Sequence, residues 1–409
     1  MRRRVAITGL GAVTPIGIGV KAFWRGLRDG ALGVGRITRF DPSPFACQVA
    51  AEVKGFEPAG ERLTPAGRFA QFGMAAARMA YDDAGLAGLK AASGFAVCVA
   101  SGASAVAEFQ EVLERIQGRP MRRRDASTVV ESIGHALTNY AAVDLGIRGQ
   151  TMTLGSGCAS GVDAIQWACA QISAGRIVGA LTGAADAPLA TSVHAAWGKL
   201  GWLSRWSGPP AQALRPYDAL SDGSVLGEGA GMYVLEDLEH SRARGARVYA
   251  EVLGYGSGTD GLDLRTVDPT GASLQAAMRG ALAEARLAPG EIDHINAHGG
   301  GVPKHDRAES AAYRAVFGRH AYSIPITSIK GMIGQPFAAG GALQVVASCF
   351  SLAEQFVPPT MNHDIPAAEC ALDYVPVRGR GARVNRVLVT SRAIGPTHSA
   401  VILGRPEDN

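Results

Sequence analysis

The segment Thr151–Ser160 reads TMTLGSGCAS, and it decides how the surrounding chain folds. Its first four residues predict a short strand, and the glycines at 155 and 157 predict a tight turn after it. A helix is expected from about Cys158 to Ala174, because apolar residues recur at helical spacing at 162, 165, 168, 169 and 172. The segment therefore predicts a strand, a glycine-rich turn and a cysteine in the first turn of a helix.

A cysteine at this place in a chain is well suited to nucleophilic catalysis. The thiolate is the reactive form, and the free N–H groups of a helix N-terminus are expected to lower the pKa of the thiol. Only small residues surround Cys158, so a substrate carbonyl has room to approach. We therefore interpret Cys158 as a candidate nucleophile and the other cysteines, at 47, 98, 169, 349 and 370, as ordinary buried side chains.

Strands and helices alternate on both sides of this segment. Before Arg247, strands are predicted at 4–9, 94–100, 176–184 and 229–236, and helices at 20–28 and 64–84. After Arg247 the pattern restarts, with strands at 249–254, 292–297, 326–328, 386–391 and 398–404, and helices at 271–286, 306–318 and 339–356. The alternation is typical of α/β layers, and the similar layout of the two stretches predicts a duplicated layered core. We divide the chain into an N-terminal half, 1–247, and a C-terminal half, 248–409.

The composition narrows the class of protein. With 409 residues, 47% apolar and 19% charged, the chain is expected to be a compact protein with a large core. The net charge is only +4 and the basic residues are scattered, so we expect no nucleic-acid partner. No apolar run is long enough to span a membrane. The scattered cysteines lack C-x-x-C spacing, which indicates a reducing, cytoplasmic setting.

Five motifs resemble those of β-ketoacyl synthases, the decarboxylating condensing enzymes of fatty-acid and polyketide synthesis. In chain order they are VAITGLGAVTPIG (5–17), GSGCASGVDAI (155–165), RPYDALSDGSVLGEGAG (215–231), INAHGGGVPKHDRAE (295–309) and SIKGMIGQPFAAGGALQ (328–344). The resemblance covers nearly the whole chain. It implies an α/β thiolase-like fold with a duplicated, five-layer αβαβα core.

The resemblance also implies catalytic roles for particular residues. Cys158 would accept the acyl group, and His298 would donate a hydrogen bond to a thioester or enolate oxygen or act as the acid/base group. Lys330 would be a buried or half-buried ammonium that orients the site. The backbone N–H groups of Cys158 and Ile394 would form the oxyanion hole, with Gly395 in the same gating loop. The remaining histidines are expected to be structural or solvated, among them those at 294, 305, 320 and 398.

At two positions this sequence departs from the family's catalytic pattern. Gln335 stands where the family has a second histidine. A carboxamide can donate a hydrogen bond to an enolate oxygen, but it cannot become a cation or transfer a proton. Gln344 stands where the family often has the glutamate that pairs with Lys330. Asp306 and Glu309 match acidic family positions, and one of them is a candidate for the missing counter-charge.

Further departures lie along the expected substrate channel. Gly300 and Val302 replace threonines that contact phosphopantetheine in the family, and Ser224 replaces an aromatic residue. Ile394 replaces the phenylalanine of the gating loop. These changes affect side chains rather than backbone donors, so we expect them to alter specificity more than the first acyl transfer.

Three functional hypotheses remain open at this point. The first is a discrete, type II ketosynthase that condenses an acyl group on Cys158 with a carrier-bound malonyl extender. The second is a non-decarboxylative acyltransferase that passes the same acyl group to a hydroxyl or amine. The third is a non-catalytic partner subunit like the chain-length factors, which Ser391-Arg392-Ala393 resembles, although those proteins lack the nucleophilic cysteine.

The resemblance also sets expectations for cofactors and partners. We expect no bound cofactor or metal. The substrate would arrive on the phosphopantetheine arm of an acyl carrier protein. The chain would form a homodimer, or a heterodimer with a related ketosynthase or chain-length-factor-like subunit.

Overall fold

The structure is a computed structural model that describes residues 3–58, 67–87, 94–263, 265–394 and 397–407. The elements before Arg247 are β1 (Val5–Thr14), β2 (Gly17–Ile18), α1 (Val20–Asp29), β3 (Val34–Arg36), β4 (Val49–Ala51), α2 (Arg68–Asp83), β5 (Phe95–Ala100), α3 (Val106–Ile116), α4 (Arg123–Glu131), α5 (Ala136–Leu145), β6 (Thr151–Leu154), α6 (Ser160–Ser173), β7 (Gly179–Asp186), α7 (Thr191–Lys199), β8 (Gly229–Asp237) and α8 (Leu238–Ala243). The later elements are β9 (Ala250–Thr259), α9 (Ala272–Ala285), β10 (His294–Asn296), α10 (Pro303–Phe317), β11 (Ile326–Thr327), α11 (Lys330–Ile333), α12 (Phe337–Glu354), β12 (Phe356–Val357), β13 (Arg380–Gly381), β14 (Arg386–Arg392) and β15 (Thr397–Gly404).

Two sets of five strands share one topology. The first set is ordered β6-β5-β7-β8-β1 and the second β11-β10-β14-β15-β9, which is the order 3-2-4-5-1 within each set. In both sets the first two pairs in this order are parallel and the last two are antiparallel. β1 pairs with β9 over Val5–Ile7, which joins the two sets at one edge. The repeated topology confirms the predicted duplicated core, whereas the division at 247/248 stays a prediction.

The strands and helices stack in five layers. α6 and α12 pack against each other in the centre and contact strands of both sets. α2 and α5 cover the outer face of the first set, and α9 and α10 cover the outer face of the second. One apolar cluster surrounds the central helices and draws side chains from both sets of strands. The two halves therefore share one continuous core.

The two central helices cross at very short distance. A Cβ added at Gly161 of α6 would lie 2.2 Å from the carbonyl oxygen of Ala338 in α12. No side chain fits there, so glycine is required for this approach. Because α6 begins beside Cys158 and α12 begins after Gln335, this crossing fixes two of the predicted site residues relative to each other.

α12 is the one helix in the described ranges that is long and apolar enough to cross a membrane. Its most apolar stretch is 83% buried inside the protein. The apolar character of α12 is therefore explained by its place at the centre of the fold.

Several elements differ from the sequence-based predictions. β1 runs on through Gly9 and Gly11 to Thr14, because its backbone stays paired with β8 as far as Val13. Helices α3, α4, α5 and α7 were not predicted from their apolar spacing. The helix predicted at 64–84 is α2, from Arg68 onward, and residues 64–66 lie outside the described ranges.

Candidate active site

Cys158 lies at the junction predicted from the sequence. β6 ends at Leu154, and a single 3₁₀ turn, Gly157–Ala159, leads into α6. Gly157 has a φ of 68°, a conformation that favours glycine, and it turns the chain toward the helix. The Cys158 side chain is 6% exposed, and Ser391 Oγ donates a hydrogen bond to the Cys158 carbonyl oxygen at 3.1 Å. The nucleophile is thus held on a tightly fixed backbone.

The expectation of a lowered pKa for this thiol is wrong. The pKa of Cys158 is raised to about 12, mainly by burial and to a smaller extent by the carboxylate of Asp186. Lys330, the backbone N–H of Ile394 and Arg392 act in the opposite direction, but desolvation outweighs them. The sulfur is therefore a neutral thiol in the resting protein near pH 7, and it must lose its proton during acyl transfer.

We expect the alkylation of Cys158 by a small reagent such as iodoacetamide to accelerate about tenfold per pH unit between pH 6 and 8. The thiolate fraction grows tenfold per unit while the pH stays well below the thiol pKa. Peptide mass spectrometry of timed samples measures the rate at Cys158 separately from the other thiols. A rate that levels off below pH 8 would contradict the raised pKa.

His298 follows β10 directly and is 7% exposed. Its Nδ1 accepts a hydrogen bond from the backbone N–H of Arg392 at 3.2 Å, which places the ring proton on Nε2 in the neutral form. Burial lowers the pKa of His298 well below its ordinary value, and the cations Lys330 and Arg392 lower it further. His298 is therefore a neutral ring whose Nε2–H is a fixed hydrogen-bond donor.

Gln335 places an amide nitrogen beside this donor. Gln335 Nε2 lies 3.5 Å from His298 Nε2, and the Gln335 side chain is 4% exposed. Its backbone is paired with the 225–227 segment, since its N–H donates to Val225 and its carbonyl accepts from Gly227. With the ring proton on His298 Nε2, both nitrogens are N–H donors, so neither satisfies the other. An anionic oxygen placed between them would satisfy both.

Lys330 is 1% exposed, which confirms that its ammonium is buried. Nζ donates to the carbonyl oxygen of His298 at 2.7 Å. Burial lowers the pKa of Lys330 to about 8, and Glu309 is the carboxylate that opposes this shift most strongly. Within the part of the chain that the structure describes, Lys330 has no carboxylate within 4.0 Å. Lys330 therefore orients the backbone at His298 rather than forming a salt bridge.

Glu309 fixes the same backbone from the other side. It accepts hydrogen bonds from the N–H groups of His298 and Gly299, both at 2.9 Å. It also accepts from the hydroxyls of Tyr217 and Tyr313, both at 2.7 Å, and of Thr390 at 3.1 Å. With five donors around it, Glu309 positions the histidine loop and supplies the nearest negative charge acting on Lys330.

Asp306 and Gln344 support the site at longer range. Asp306 accepts from the Tyr217 N–H at 2.9 Å, and burial raises the pKa of Asp306 to about 7. Gln344 Nε2 donates to the carbonyl oxygens of Ala297 at 2.7 Å and Thr390 at 3.1 Å. Gln344 thus ties α12 to the ends of β10 and β14 instead of contacting Lys330.

We expect Glu309→Gln to lower the free energy of unfolding by about 2 kcal/mol or more, because an NH₂ group would face donors that need an acceptor. Denaturant unfolding followed by fluorescence measures the change. Glu354→Gln is the matched control, since Glu354 is 39% exposed and pairs with Arg28 on the surface at 3.0 Å. If both variants lowered the free energy of unfolding by the same small amount, the positioning role of Glu309 would be contradicted.

One narrow cavity brings most of the predicted site residues together. Cys158, His298 and Gln335 line this cavity. The predicted channel residues on its wall are Ser224, Gly300, Val302 and Ile394, and the five further residues are Trp197, Trp202, His305, Arg392 and Ala393. Gly395 lies outside the described residues. His305, expected to be structural or solvated, is thus part of the cavity wall. The structure does not place Lys330, Asp306, Glu309 or Gln344 on this wall.

Trp202 explains part of the altered channel. Ser224, which replaces the family's aromatic residue, donates its N–H to the Trp202 carbonyl at 2.8 Å, so the two residues are backbone neighbours. Trp202 packs edge-on against Trp197, which stacks on Phe337 at 5.0 Å. Trp202, in the segment that pairs with Ser224, therefore supplies an aromatic side chain to the cavity wall. The Ser224 hydroxyl is buried without a hydrogen-bond partner in the described part of the chain.

A thiol, a neutral imidazole and an amide that share a cavity in a duplicated α/β core define the thiolase-like class of condensing enzymes. Residues 2–241 match the family described as "Beta-ketoacyl synthase, N-terminal domain", and residues 249–364 match "Beta-ketoacyl synthase, C-terminal domain". The chain belongs to the β-ketoacyl synthase family. This membership confirms the family resemblance found in the sequence. Proteins of this family are transferases.

Individual relatives match this chain over its whole length. The chain is 34% identical, over 415 residues and 100% of both chains, to the 3-oxoacyl-[acyl-carrier-protein] synthase 2 of Coxiella burnetii. A solved complex of a type II polyketide synthase acyl-carrier protein with its ketosynthase bound to the hexaketide matches with a TM-score of 0.92 at 30% identity, covering 100% of each chain. The ishigamide ketosynthase/chain length factor matches with a TM-score of 0.92 at 34% identity, also over 100% of each chain. These likenesses confirm the thiolase-like fold.

Proposed function

We propose that this chain is a discrete ketosynthase that forms an acyl thioester on Cys158 and condenses it with a carrier-bound malonyl extender. The observation that carries the proposal is that Cys158 shares one cavity with two neutral N–H donors, His298 Nε2 and Gln335 Nε2, whose nitrogens lie 3.5 Å apart. Decarboxylative condensation needs both features, because the acyl group must be held while an enolate oxygen is stabilised nearby.

The first step is acyl transfer. The Cys158 sulfur attacks the thioester carbonyl of the acyl-carrier, and the bond from that carbonyl to the phosphopantetheine sulfur breaks. The released phosphopantetheine takes up the proton that the thiol loses, so charge balances over the step. The backbone N–H of Ile394, which hydrogen bonds toward the Cys158 sulfur, would donate to the developing oxyanion.

The second step generates the carbon nucleophile. The bond between the malonyl carboxyl carbon and the α-carbon breaks, CO₂ leaves, and the electron pair forms an enolate on the extender thioester. His298 and Gln335 donate to the enolate oxygen. The α-carbon then attacks the acyl-Cys158 carbonyl, a C–C bond forms, and the Cys158 sulfur leaves and regains a proton. Because Gln335 has no charge to contribute, the neutral donors must be held in fixed positions. The Arg392 N–H fixes the His298 ring, and the backbone of Gln335 is paired with the 225–227 segment.

A second candidate function keeps the acyl-Cys158 step and omits decarboxylation. Its support is Gln335 in place of the second histidine, together with the Gly300 and Val302 replacements in the channel. A hydroxyl or amine would attack the thioester and form an ester or amide. The third candidate, a non-catalytic partner subunit, is disfavoured by the retained Cys158 and its shared cavity with His298.

One experiment separates these functions. The purified protein, loaded with a radiolabelled acyl group from an acyl-carrier, is offered either malonyl-carrier or a carrier-bound hydroxyacyl substrate. Our proposal predicts CO₂ release and a β-ketoacyl product with the first and no product with the second. Ester formation without CO₂ release would establish the acyltransferase, and failure to load Cys158 would leave the partner-subunit hypothesis.

We also propose that the acyl carrier protein binds through its phosphopantetheine arm and that a second, related chain pairs with β6. β6 ends its set of strands, with β5 as its neighbour. The helix α5, which contacts β6, exposes Val143, and the chain before α5 exposes Leu113 on α3, Val130 on α4 and Ile133 between α4 and α5. An edge strand beside an exposed apolar surface is typical of an interface.

The free cysteines fit the reducing, cytoplasmic setting predicted from the sequence.

We expect Val143→Asp to weaken this pairing, because it places an unpaired charge in an apolar interface. Light scattering after size-exclusion chromatography should give about twice the chain mass for the wild type and the single-chain mass for the variant. Co-expression with a related subunit distinguishes a homodimer from a heterodimer. A wild-type chain that stays monomeric alone and in co-expression would contradict the proposal.

A further inference from the structure

Arg392 occupies a position in the site that the ketosynthase reaction as described above does not use. It is the last residue of β14 and the cross-strand partner of His398 in β15. Its side chain lines the Cys158 cavity and also an adjoining cavity whose walls include Asp260, Asp268 and His305. Arg392, like His305, therefore belongs to the wall of both the reaction cavity and the second cavity.

The positive charge of Arg392 is not matched by a nearby partner. In the described ranges, its guanidinium has no hydrogen bond and no carboxylate within 4.0 Å. The carboxylates that act on it at longer range are engaged elsewhere. Asp260 lies 3.2 Å from His398 Nε2, Asp306 accepts from the Tyr217 backbone, and Glu309 accepts five hydrogen bonds.

An unpaired guanidinium in a largely buried place is costly unless an anion joins it. Arginine holds its proton under all ordinary conditions, so Arg392 cannot escape this cost by becoming neutral. Its planar fork of N–H groups matches the two oxygens of a carboxylate. The unpartnered Ser224 hydroxyl, buried in the same cavity wall, adds a second group that lacks a protein partner.

We propose that Arg392 binds a carboxylate of the carrier-bound substrate and makes the site selective for anionic acyl groups. This proposal rests on the proposed function, in which both thioesters react in the Cys158 cavity. Two substrates carry this group: a malonyl-type extender, and a dicarboxylic acyl group with a free carboxylate at its far end. If the carboxylate belongs to the extender, it leaves as neutral CO₂ and the guanidinium stays protonated. Arg392 would then stabilise the bound extender more than the transition state.

The test compares pairs of substrates that differ in one carboxylate. Equilibrium binding of malonyl-carrier is measured against acetyl-carrier, and the rate of Cys158 acylation by succinyl-carrier against butyryl-carrier. For Arg392→Gln we expect the charged-to-neutral ratio to fall at least tenfold in one of these pairs, the loss of one charge-assisted bidentate contact. Arg392→Lys should give an intermediate ratio. Arg386→Gln, at the opposite end of β14 and paired with Glu291 at 3.4 Å, is the matched control and should keep the wild-type ratio.

The outcomes are distinct. If the charged-to-neutral ratio falls only for malonyl-carrier against acetyl-carrier, the carboxylate contact belongs to the extender. In that case KM for malonyl-carrier should rise by a larger factor than kcat falls. A fall confined to the succinyl pair assigns the contact to the acyl group. Ratios within twofold of wild type in both pairs overturn the proposal, even if the rates themselves drop. The binding measurement does not need CO₂ release, so it tests carboxylate recognition even if the condensation activity proposed above is not found.

Discussion

Replacing Cys158 with alanine should abolish condensation, lowering product formation by at least about 10³-fold, because Cys158 is the one thiol among the described residues that line the cavity. Product is measured by mass spectrometry of the carrier-bound thioester after incubation with acyl-carrier and malonyl-carrier. The effect of the substitution on stability should be small, since alanine differs from cysteine only by the sulfur.

The matched control for this variant is Cys169→Ala. Cys169 lies on the same helix, α6, and is half-buried, whereas the remaining cysteines among the described residues are buried. We expect the control to keep activity within a few-fold of wild type. Condensation that survives in Cys158→Ala would mean that the acyl group never resides on this sulfur.

Gln335→Leu should lower CO₂ release from malonyl-carrier by about 10²–10³-fold, the usual effect of removing one donor from a developing oxyanion. Leucine keeps much of the volume but removes the N–H that lies 3.5 Å from His298 Nε2. Acylation of Cys158 should fall by a much smaller factor, because in our proposal the Ile394 N–H, and not Gln335, stabilises the oxyanion of that step. The two half-reactions are measured separately, by ¹⁴CO₂ trapping and by intact-protein mass.

Gln335→His serves as the companion variant. Histidine restores an N–H donor of the kind the family uses, so we expect it to release CO₂ faster than the leucine variant. If the leucine and histidine variants both matched wild type, the amide would have no part in stabilising the enolate, and the acyltransferase hypothesis would gain weight.

The fold was largely predictable because the alternation of strands and helices and the order of the family motifs both indicated the same duplicated α/β core. The segment around Cys158 contains a strand, a turn that needs glycine and a helix start, and the structure has all three. Helix α4 escaped prediction for a physical reason, because it reads RRDASTVVE and has too few apolar residues to show a helical period. Helix α3 reads VAEFQEVLERI and does show a helical period, so the sequence contained the signal for it.

The cavity residues were predictable only where a motif pointed to them. The partners of Lys330 and Gln344 depend on how β10, β14 and the start of α12 approach one another, and sequence spacing does not contain that information. Trp202 reaches the cavity from a loop with no pattern that marks it. His305, on α10, lies inside the 295–309 motif, but the motif did not distinguish it from a structural histidine. Arg392 had two available signals: it lies in Ser391-Arg392-Ala393, which resembles the chain-length factors, and it directly follows the buried part of β14.

The pKa of Cys158 shows where local reasoning fails most clearly. The start of a helix favours a thiolate, and the sequence showed that helix start correctly. The surrounding protein then removes water from the sulfur, and this desolvation outweighs the helix effect. Burial of a single side chain is set by the packing of both halves, which no short segment determines.

The central claim is that Cys158 carries the acyl group and gives it up to a carbon nucleophile made by loss of CO₂. The most direct measurement is the intact mass of the acyl-loaded protein before and after one equivalent of malonyl-carrier is added. Our account predicts an adduct on the peptide that contains Cys158, discharged on addition of malonyl-carrier with one CO₂ released per acyl group lost. An adduct that persists, or that is lost without CO₂, would contradict it.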